Sequence, residues 1–172
     1  IEVSGPKNLL DKVTTEWDGG VVRLKNTNTC NFVRDLSIRM KAECYVNTLA
    51  SITYNGQGDV SFADTLYADH FKFESNEAAG DVSLLLNVDS LNIICHTGLS
   101  QFDIEGVTRI AELFNQGYGR MDAADLHAEV MLARNSSIND MWVRSSDYLF
   151  ALITASGDLF YAGEPADVDA EV

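Results

Sequence analysis

The chain has 172 residues, 46% of them hydrophobic, and only two prolines. That composition excludes a disordered chain and suffices for one domain with a sizeable core. Twelve basic residues against 26 acidic ones leave a net charge of −14, a surface that repels phosphate backbones and anionic headgroups and so excludes nucleic acid and anionic membranes as partners.

Taken in order, Ile1-Glu2-Val3 alternates like a strand. Residues 6–13 suit one or two helical turns, with Ser4 near the N-cap and Pro6 in the first turn. Residues 14–17 and 21–25 flank Asp18-Gly19-Gly20, a hairpin-like turn. Residues 26–34 are polar around Cys30 and Phe32 and read as a loop. Leu36, Ile38, Met40 and Ala42 then alternate with Ser37, Arg39, Lys41 and Glu43, the pattern of a half-exposed strand.

From residue 51 onward the chain repeats itself. Asp59, Asp81, Gln101, Arg120, Asp140 and Asp158 each follow a polar turn, at spacings of 22, 20, 19, 20 and 18. Asn55, Asn76, His96, Asn115 and Asn135 recur in step, and so do Phe71, Leu91, Ile110, Val130 and Leu149. Each unit has a short alternating run (Phe71, Phe73; Leu91, Ile93, Cys95; Val130, Leu132), a turn, and a second run (Val60, Phe62; Val82, Leu84; Phe102, Ile104; Leu159, Tyr161). Period-two alternation predicts strands. About 20 residues are too few for a strand–helix–strand unit but enough for one coil of short strands, so the repeat predicts stacked coils sharing a core.

The turn chemistry fits. Gly58, Gly80 and Gly157 are expected to take positive φ at corners, and the Asp that follows each to bond its own local backbone. The Asn column predicts a ladder of amides bonding one another from coil to coil, with His96 substituting for an amide.

The longest apolar run, residues 148–153, is too short to cross a bilayer, which needs about 20 residues, and reads as the last core strand. No membrane insertion by this chain is expected. Residues 164–172 form an acidic tail in which Pro165 is expected to stop any further coil, leaving a frayed end or a place where the next chain packs.

These residues resemble the bacterial family described as putative auto-transporter adhesin, head GIN domain. Its hallmark is a recurring Ser-Gly-x-Gly-Asp-Val turn preceded by Ile-x-Val. Ile52-Thr53-Tyr54-Asn55-Gly56-Gln57-Gly58-Asp59-Val60 matches it, with Asn55 for the Ser. Ala79-Gly80-Asp81-Val82 and Ala155-Ser156-Gly157-Asp158-Leu159 are weaker copies. Pro6-Lys7-Asn8-Leu9-Leu10-Asp11 and Gly20-Val21-Val22-Arg23-Leu24-Lys25 resemble the family's opening segment. Gly98-Leu99-Ser100-Gln101-Phe102 and Gly117-Tyr118-Gly119-Arg120-Met121 lack the Asp, so no continuous Asp row serves as a ligand.

The resemblance implies an all-β fold: a right-handed parallel β-helix-like solenoid with coils of about 20 residues and an N-terminal cap region. One domain is expected, with the first coils and cap in 1–50, the repeats in 51–163 and the tail in 164–172. The resemblance brings no catalytic residues. It implies an extracytoplasmic protein, periplasmic or on the outer surface, whose signal or lipoprotein anchor has been removed. A chain beginning at Ile1 without Met suits a processed or trimmed product.

No chemical motif competes with that reading. Acids abound (Asp59, Asp64, Asp69, Glu74, Asp81), but the cations beyond residue 55 are Lys72, Arg109, Arg120, Arg134 and Arg144, one per coil, which predicts solvated faces rather than a converging site. With so many acids some pair always meets a glycosidase spacing. His70, His96 and His127 are not expected to be neighbours, and no nine-residue Gly-Asp calcium repeat occurs. No nucleophile elbow, phosphate loop or dinucleotide fingerprint is present.

Three cysteines leave at least one free or paired between chains; a Cys30–Cys44 disulfide is one alternative, and Cys95 falls at an inward position. Tyr54, Tyr67, Tyr118, Tyr148, Tyr161, Trp17 and Trp142 are candidates for a sugar-stacking surface. Asn135-Ser136-Ser137 matches a glycosylation acceptor, relevant only in a eukaryotic secretory pathway.

The expectation is a non-catalytic adhesin or surface-binding module, with no cofactor, no metal, and surface glycans or proteins as partners. Two alternatives stay open: a carbohydrate-active lyase or hydrolase on the same scaffold, and a structural envelope protein that forms homo-oligomers through solenoid ends or faces.

Overall fold

The computed structural model describes residues 1–28 and 40–172, which divide into two compact units, Ile1–Asn47 and Thr48–Val172. Cys30, Phe32 and the start of the strand expected at residues 36–43 lie outside the described residues.

In the first unit β1 (Glu2–Ser4) pairs antiparallel with β4 (Lys41–Glu43). β2 (Val13–Asp18) and β3 (Val21–Asn26) form an antiparallel hairpin. Gly19 and Gly20 turn it with φ of 55° and 84°, the two left-handed positions that suit a tight hairpin. α1 (Lys7–Leu10) is a single turn. Pro6 takes the N-cap position with no side-chain cap, while Ser4 ends β1 instead of capping the helix. Residues 1–50 were expected to supply the first coils. The strands described there pair antiparallel, and coiling begins at β5. Cys44 is exposed and free, and the partner suggested for it, Cys30, lies outside the described residues.

The second unit is one nine-stranded parallel sheet wound into coils. Its strands are β5 (Ser51–Tyr54), β6 (Val60–Ser61), β7 (Leu66–Ser75), β8 (Asp81–Cys95), β9 (Gln101–Asn115), β10 (Met121–Asn135), β11 (Met141–Ile153), β12 (Leu159–Ala162) and β13 (Asp167–Glu171). Each strand lies on its equivalent one coil away: Val82, Phe102, Met121, Met141 and Leu159 form one column. The solenoid with coils about 20 residues apart is the expected one.

Alternation places Val82, Leu84, Leu86 and Val88 of β8 inward. The parity flips at Asp89–Ser90, where the coil bends, and Leu91, Ile93 and Cys95 then face the core. Cys95 is fully buried, and burial pushes its thiol pKa up. The same flip corrects the third repeat marker. Phe71 and Leu91 stack on Ala111, Met131 and Leu149, whereas Ile110 and Val130 belong to the neighbouring column with Ser90 and Tyr148.

The Asn column also separates into two. Tyr54, Ser75, Cys95, Asn115 and Asn135 share one inward column. Asn76 and His96 lie one position later, at the level of Gln116 and Ser136. No amide ladder forms among these residues. Asn115 instead accepts from Gly117 N–H (3.2 Å) and donates to Gly119 O (3.0 Å). Asn135 accepts from Ser137 N–H (3.2 Å) and donates to Asn139 O and Asp158 O (3.0 Å each). A buried amide that closes its own turn satisfies backbone groups the corner leaves unpaired.

Two corner Asp residues, Asp59 after Gly58 and Asp140 after Asn139, bond from one coil to the next. Asp59 accepts the N–H of Asp81 at 3.2 Å, and Asp140 accepts the N–H of Asp158 at 3.0 Å. Of the three corner glycines singled out, only Gly80 has the expected positive φ, 111°. Gly157 is required for close approach, since a Cβ there would sit 2.2 Å from Asn139 O; Gly58 meets nothing. Pro165 does not end the coiling: β12 and β13 lie on either side of it, and both pair parallel with β11.

Candidate functional site

Since inward positions are filled by apolar side chains, function falls to the outward columns and the corners. Two shallow, open concavities occur on the second unit. The larger, about 610 Å³, follows the bend where parity flips; Asn87, Asp89, Val107, Arg109, His127 and Arg144 line it. The smaller, about 380 Å³, is lined by Ser83, Leu85, Asp103, Glu105, Asp122 and Asp125.

The larger concavity owes its shape to backbone. Gly106 sits at φ 126°, and a Cβ there would lie 1.8 Å from Leu86 O, so two coils approach closely behind it. Arg109 spans one coil and grips Asp89 with two bonds, Nε–Oδ1 2.8 Å and Nη2–Oδ2 3.0 Å. That grip holds the Asp89 carboxyl below the usual range and raises the Arg109 guanidinium. An acid so stabilised as its anion is a poor proton donor. Glu129 follows one coil on, so the concavity does collect two acids and arginines, the arrangement a lyase or hydrolase uses. Yet one acid and one base there are spent on each other.

Arg144 differs. Its Nε donates to Ala124 O at 2.6 Å, which fixes the stem, and among the described residues its terminal nitrogens have no carboxylate partner. The other four cations of the second unit are paired: Lys72 with Glu74, Arg109 with Asp89, Arg120 with Asp103 and Asp122, Arg134 with Glu112. A fixed, half-buried guanidinium facing an open concavity is a donor fork awaiting an acceptor.

On the neighbouring face, Ser83, Asp103, Asp122, Trp142 and Phe160 form an outward column. Arg120 bridges Asp103 (2.9 Å) and Asp122 (3.1 Å) and lies 5.9 Å over the Trp142 ring. Trp142 stacks in turn on Phe160, centroids 5.5 Å apart and planes at 16°. The rings therefore use their faces on one another.

The remaining candidate residues scatter. Tyr67, Tyr118 and Tyr161 of the second unit and Trp17 of the first are exposed. The Tyr54 hydroxyl clamps its own turn, accepting from Gly58 N–H at 2.8 Å and donating to Gly58 O. Tyr148 donates to Asp169. His96 bonds Glu74 at 2.9 Å, an ion-pair position rather than a substitute amide. His70 and His127 lie in different columns. Among the described residues no cluster of three or more His, Cys, Asp or Glu is arranged to hold a metal ion. The sequence reading missed Phe160 and the singular position of Arg144. The first was findable, since Asp103, Asp122, Trp142 and Phe160 repeat at 19, 20 and 18 residues, in step with the corner column.

The family model of the putative auto-transporter adhesin, head GIN domain, matches residues 1–165. The chain belongs to this family. Its fold is also similar to the crystal structure of a putative adhesin from Bacteroides fragilis NCTC 9343, with a TM-score of 0.87 at 23% identity over 98% of this chain and 76% of that one. Identity that low speaks to the fold alone. No curated protein matches the chain. Adhesins act at cell surfaces, and among the described residues no helix is long and apolar enough to cross a membrane.

Proposed function

We propose that this GIN-domain solenoid is a non-catalytic, extracytoplasmic binding module that holds a polar surface glycan in the bend concavity. The observation that carries the reading is Arg144: it is anchored through Ala124 O and among the described residues has no carboxylate partner, in a unit whose other cations are all paired. Its neighbours suit a sugar. Asn87 and Ser146 offer hydrogen bonds, His127 a ring, and Val107 an exposed apolar patch. Adhesion through such an open site is weak per copy and gains strength by multivalent display.

The test is a panel of bacterial and host glycans, with binding and product formation followed in the same wells. Saturable binding without turnover, weakened about tenfold or more by Arg144→Gln, is expected; one lost charge-assisted hydrogen-bond pair accounts for that factor. Chain shortening of any glycan overturns the reading and moves attention to Glu129 and His127. Binding that Arg144→Gln leaves unchanged overturns the assignment to this concavity.

A further inference from the structure

The bend concavity lies where two neighbouring coils differ in length. From β9 to β10 equivalent residues stay 19 or 20 apart, from Phe102 and Met121 to Asn115 and Asn135. From β10 to β11 the separation is 20 at Asp122 and Trp142, falls to 17 at Ala128 and Ser145, and is 18 at Val130 and Tyr148. β11 thus takes the bend in three fewer residues than β10, and residues 123–127 of β10 have no register partner in β11. A ladder interrupted in this way leaves backbone carbonyls to be satisfied by other donors. Arg144 does so for Ala124, whose carbonyl oxygen takes the Nε hydrogen bond at 2.6 Å.

That bond decides what the rest of the guanidinium can do. With Nε spent, the two terminal nitrogens remain, and their N–H groups at the end of the fork run side by side. Among the described residues no carboxylate meets them. The two acids lining the concavity bear on the other arginine instead: Asp89 takes two bonds from Arg109, and the field of Glu129 also reaches Arg109. A pair of parallel N–H groups matches the two oxygens of a carboxylate, whereas a sugar hydroxyl presents one oxygen.

We propose that the ligand of this concavity is a glycan bearing an acidic sugar, a uronic or sialic acid whose carboxylate docks end-on against the terminal nitrogens of Arg144. The inference rests on the glycan reading given above and narrows it from a polar sugar to a carboxylate-bearing one. Asn87 and Ser146, also in the lining, supply donors and acceptors for ring hydroxyls. The charge of the chain limits how many acids the glycan carries. A net charge of −14 repels a polyanion along its whole length, while a single carboxylate meets its own guanidinium. Acids spaced widely in an otherwise neutral glycan are therefore favoured over a polyuronate.

The test is a densely printed array of glycans containing one uronic or sialic acid, each present as the free acid and as its methyl ester, beside neutral glycans and polyuronates. The 172-residue chain is the analyte. Esterification is expected to weaken binding at least tenfold. In Arg144→Gln the acid and the ester are expected to bind alike, and Arg144→Lys, which keeps the charge but loses the fork, is expected to recover only part of the difference. At low salt single-acid glycans are expected to bind more tightly than polyuronates, with the gap narrowing as salt rises. Esters or neutral glycans bound as tightly as the acids overturn this inference and leave the glycan reading standing. No glycan bound at all overturns both. A difference between acid and ester that persists in Arg144→Gln overturns the assignment to Arg144, and a polyuronate bound most tightly at low salt overturns the limit on acid number. If Arg144→Gln fails to fold, the wild-type comparison of acid with ester still decides the ligand class and Arg144→Lys the residue.

Discussion

The middle coils and the last coil are built from the same repeat and meet different fates. Leu113 in β9 and Val168 in β13 both occupy inward positions, yet Leu113 is sealed on both sides and Val168 on one. The repeat sets which way a side chain points, but burial depends on whether another coil follows. In a solenoid, stability is a sum of coil and interface contributions, and a terminal coil lacks one interface. The same letters therefore build sealed core in the middle coils and more exposed positions in β12 and β13.

Two glycines test that contrast most severely. Gly106 (φ 126°) and Gly163 (φ 94°) each bring the backbone against the preceding coil, where a Cβ would lie 1.8 Å from Leu86 O and 2.0 Å from Ser145 O. Gly106→Ala forces apart two coils that are held on both sides. Backbone strain and overpacking together cost about 3–5 kcal/mol, a large part of the stability of a typical domain. Chemical denaturation should show the loss, or the variant should fail to accumulate folded. Gly163→Ala has the same local clash, but the five-residue β13 can detach beyond it. Its expected signature is a small change in global stability with lost amide protection confined to residues 167–171. A global loss as large as that of Gly106→Ala would mean the terminal coil is integral to the core.

Side-chain truncation sharpens the same point at lower amplitude. Leu113→Ala removes three buried carbons from a sealed position and should cost about 3 kcal/mol. Val168→Ala removes less, from a position already open to water, and should cost about 0.5 kcal/mol. Paired urea melts measure both, with unchanged m-values if the coils still unfold together.

The sequence made the solenoid legible because its strongest signal, the column Asp59, Asp81, Gln101, Arg120, Asp140, Asp158, recurs at the corners once per coil. That column is in register in the structure. The Asn column was misassigned by one residue from Asn115 onward, and the apolar column at Ile110 and Val130. The cause is physical: β8 pairs with β9 in one unbroken register that places Ala111 on Leu91, and a step one residue short, from Leu91 to Ile110 or from His96 to Asn115, lands on the opposite face of the strand. Pro165 misled for a different reason. Proline breaks a ladder only within a strand, and here it lies in the loop between β12 and β13. The candidate site was nearly invisible, because what singles out Arg144 is the absence of a partner. Spacing listed it as one of five cations recurring once per coil; only contacts distinguish it from the four that are paired.

The smallest expected effect concerns the paired outer faces that frame the concavity. Asp89 is held below its usual pKa by Arg109, and Glu74 by Lys72 and then His96. A carboxyl with a lower pKa folded than unfolded stabilises the fold while it is ionised in both states. That contribution is complete at neutral pH and fades as pH falls through the folded value, below the ordinary carboxylate range of about 4. Melting temperature should therefore drop on acidification below that range. Asp89→Asn should lower it slightly at neutral pH and flatten the acid slope, since one titrating group is gone. High salt should shrink the neutral-pH difference, because both partners are about half exposed and screened. If Asp89→Asn leaves both the neutral value and the acid slope unchanged, the Arg109 grip contributes nothing to folding. Arg109 is then as available to a ligand as Arg144, and the asymmetry that points to Arg144 disappears.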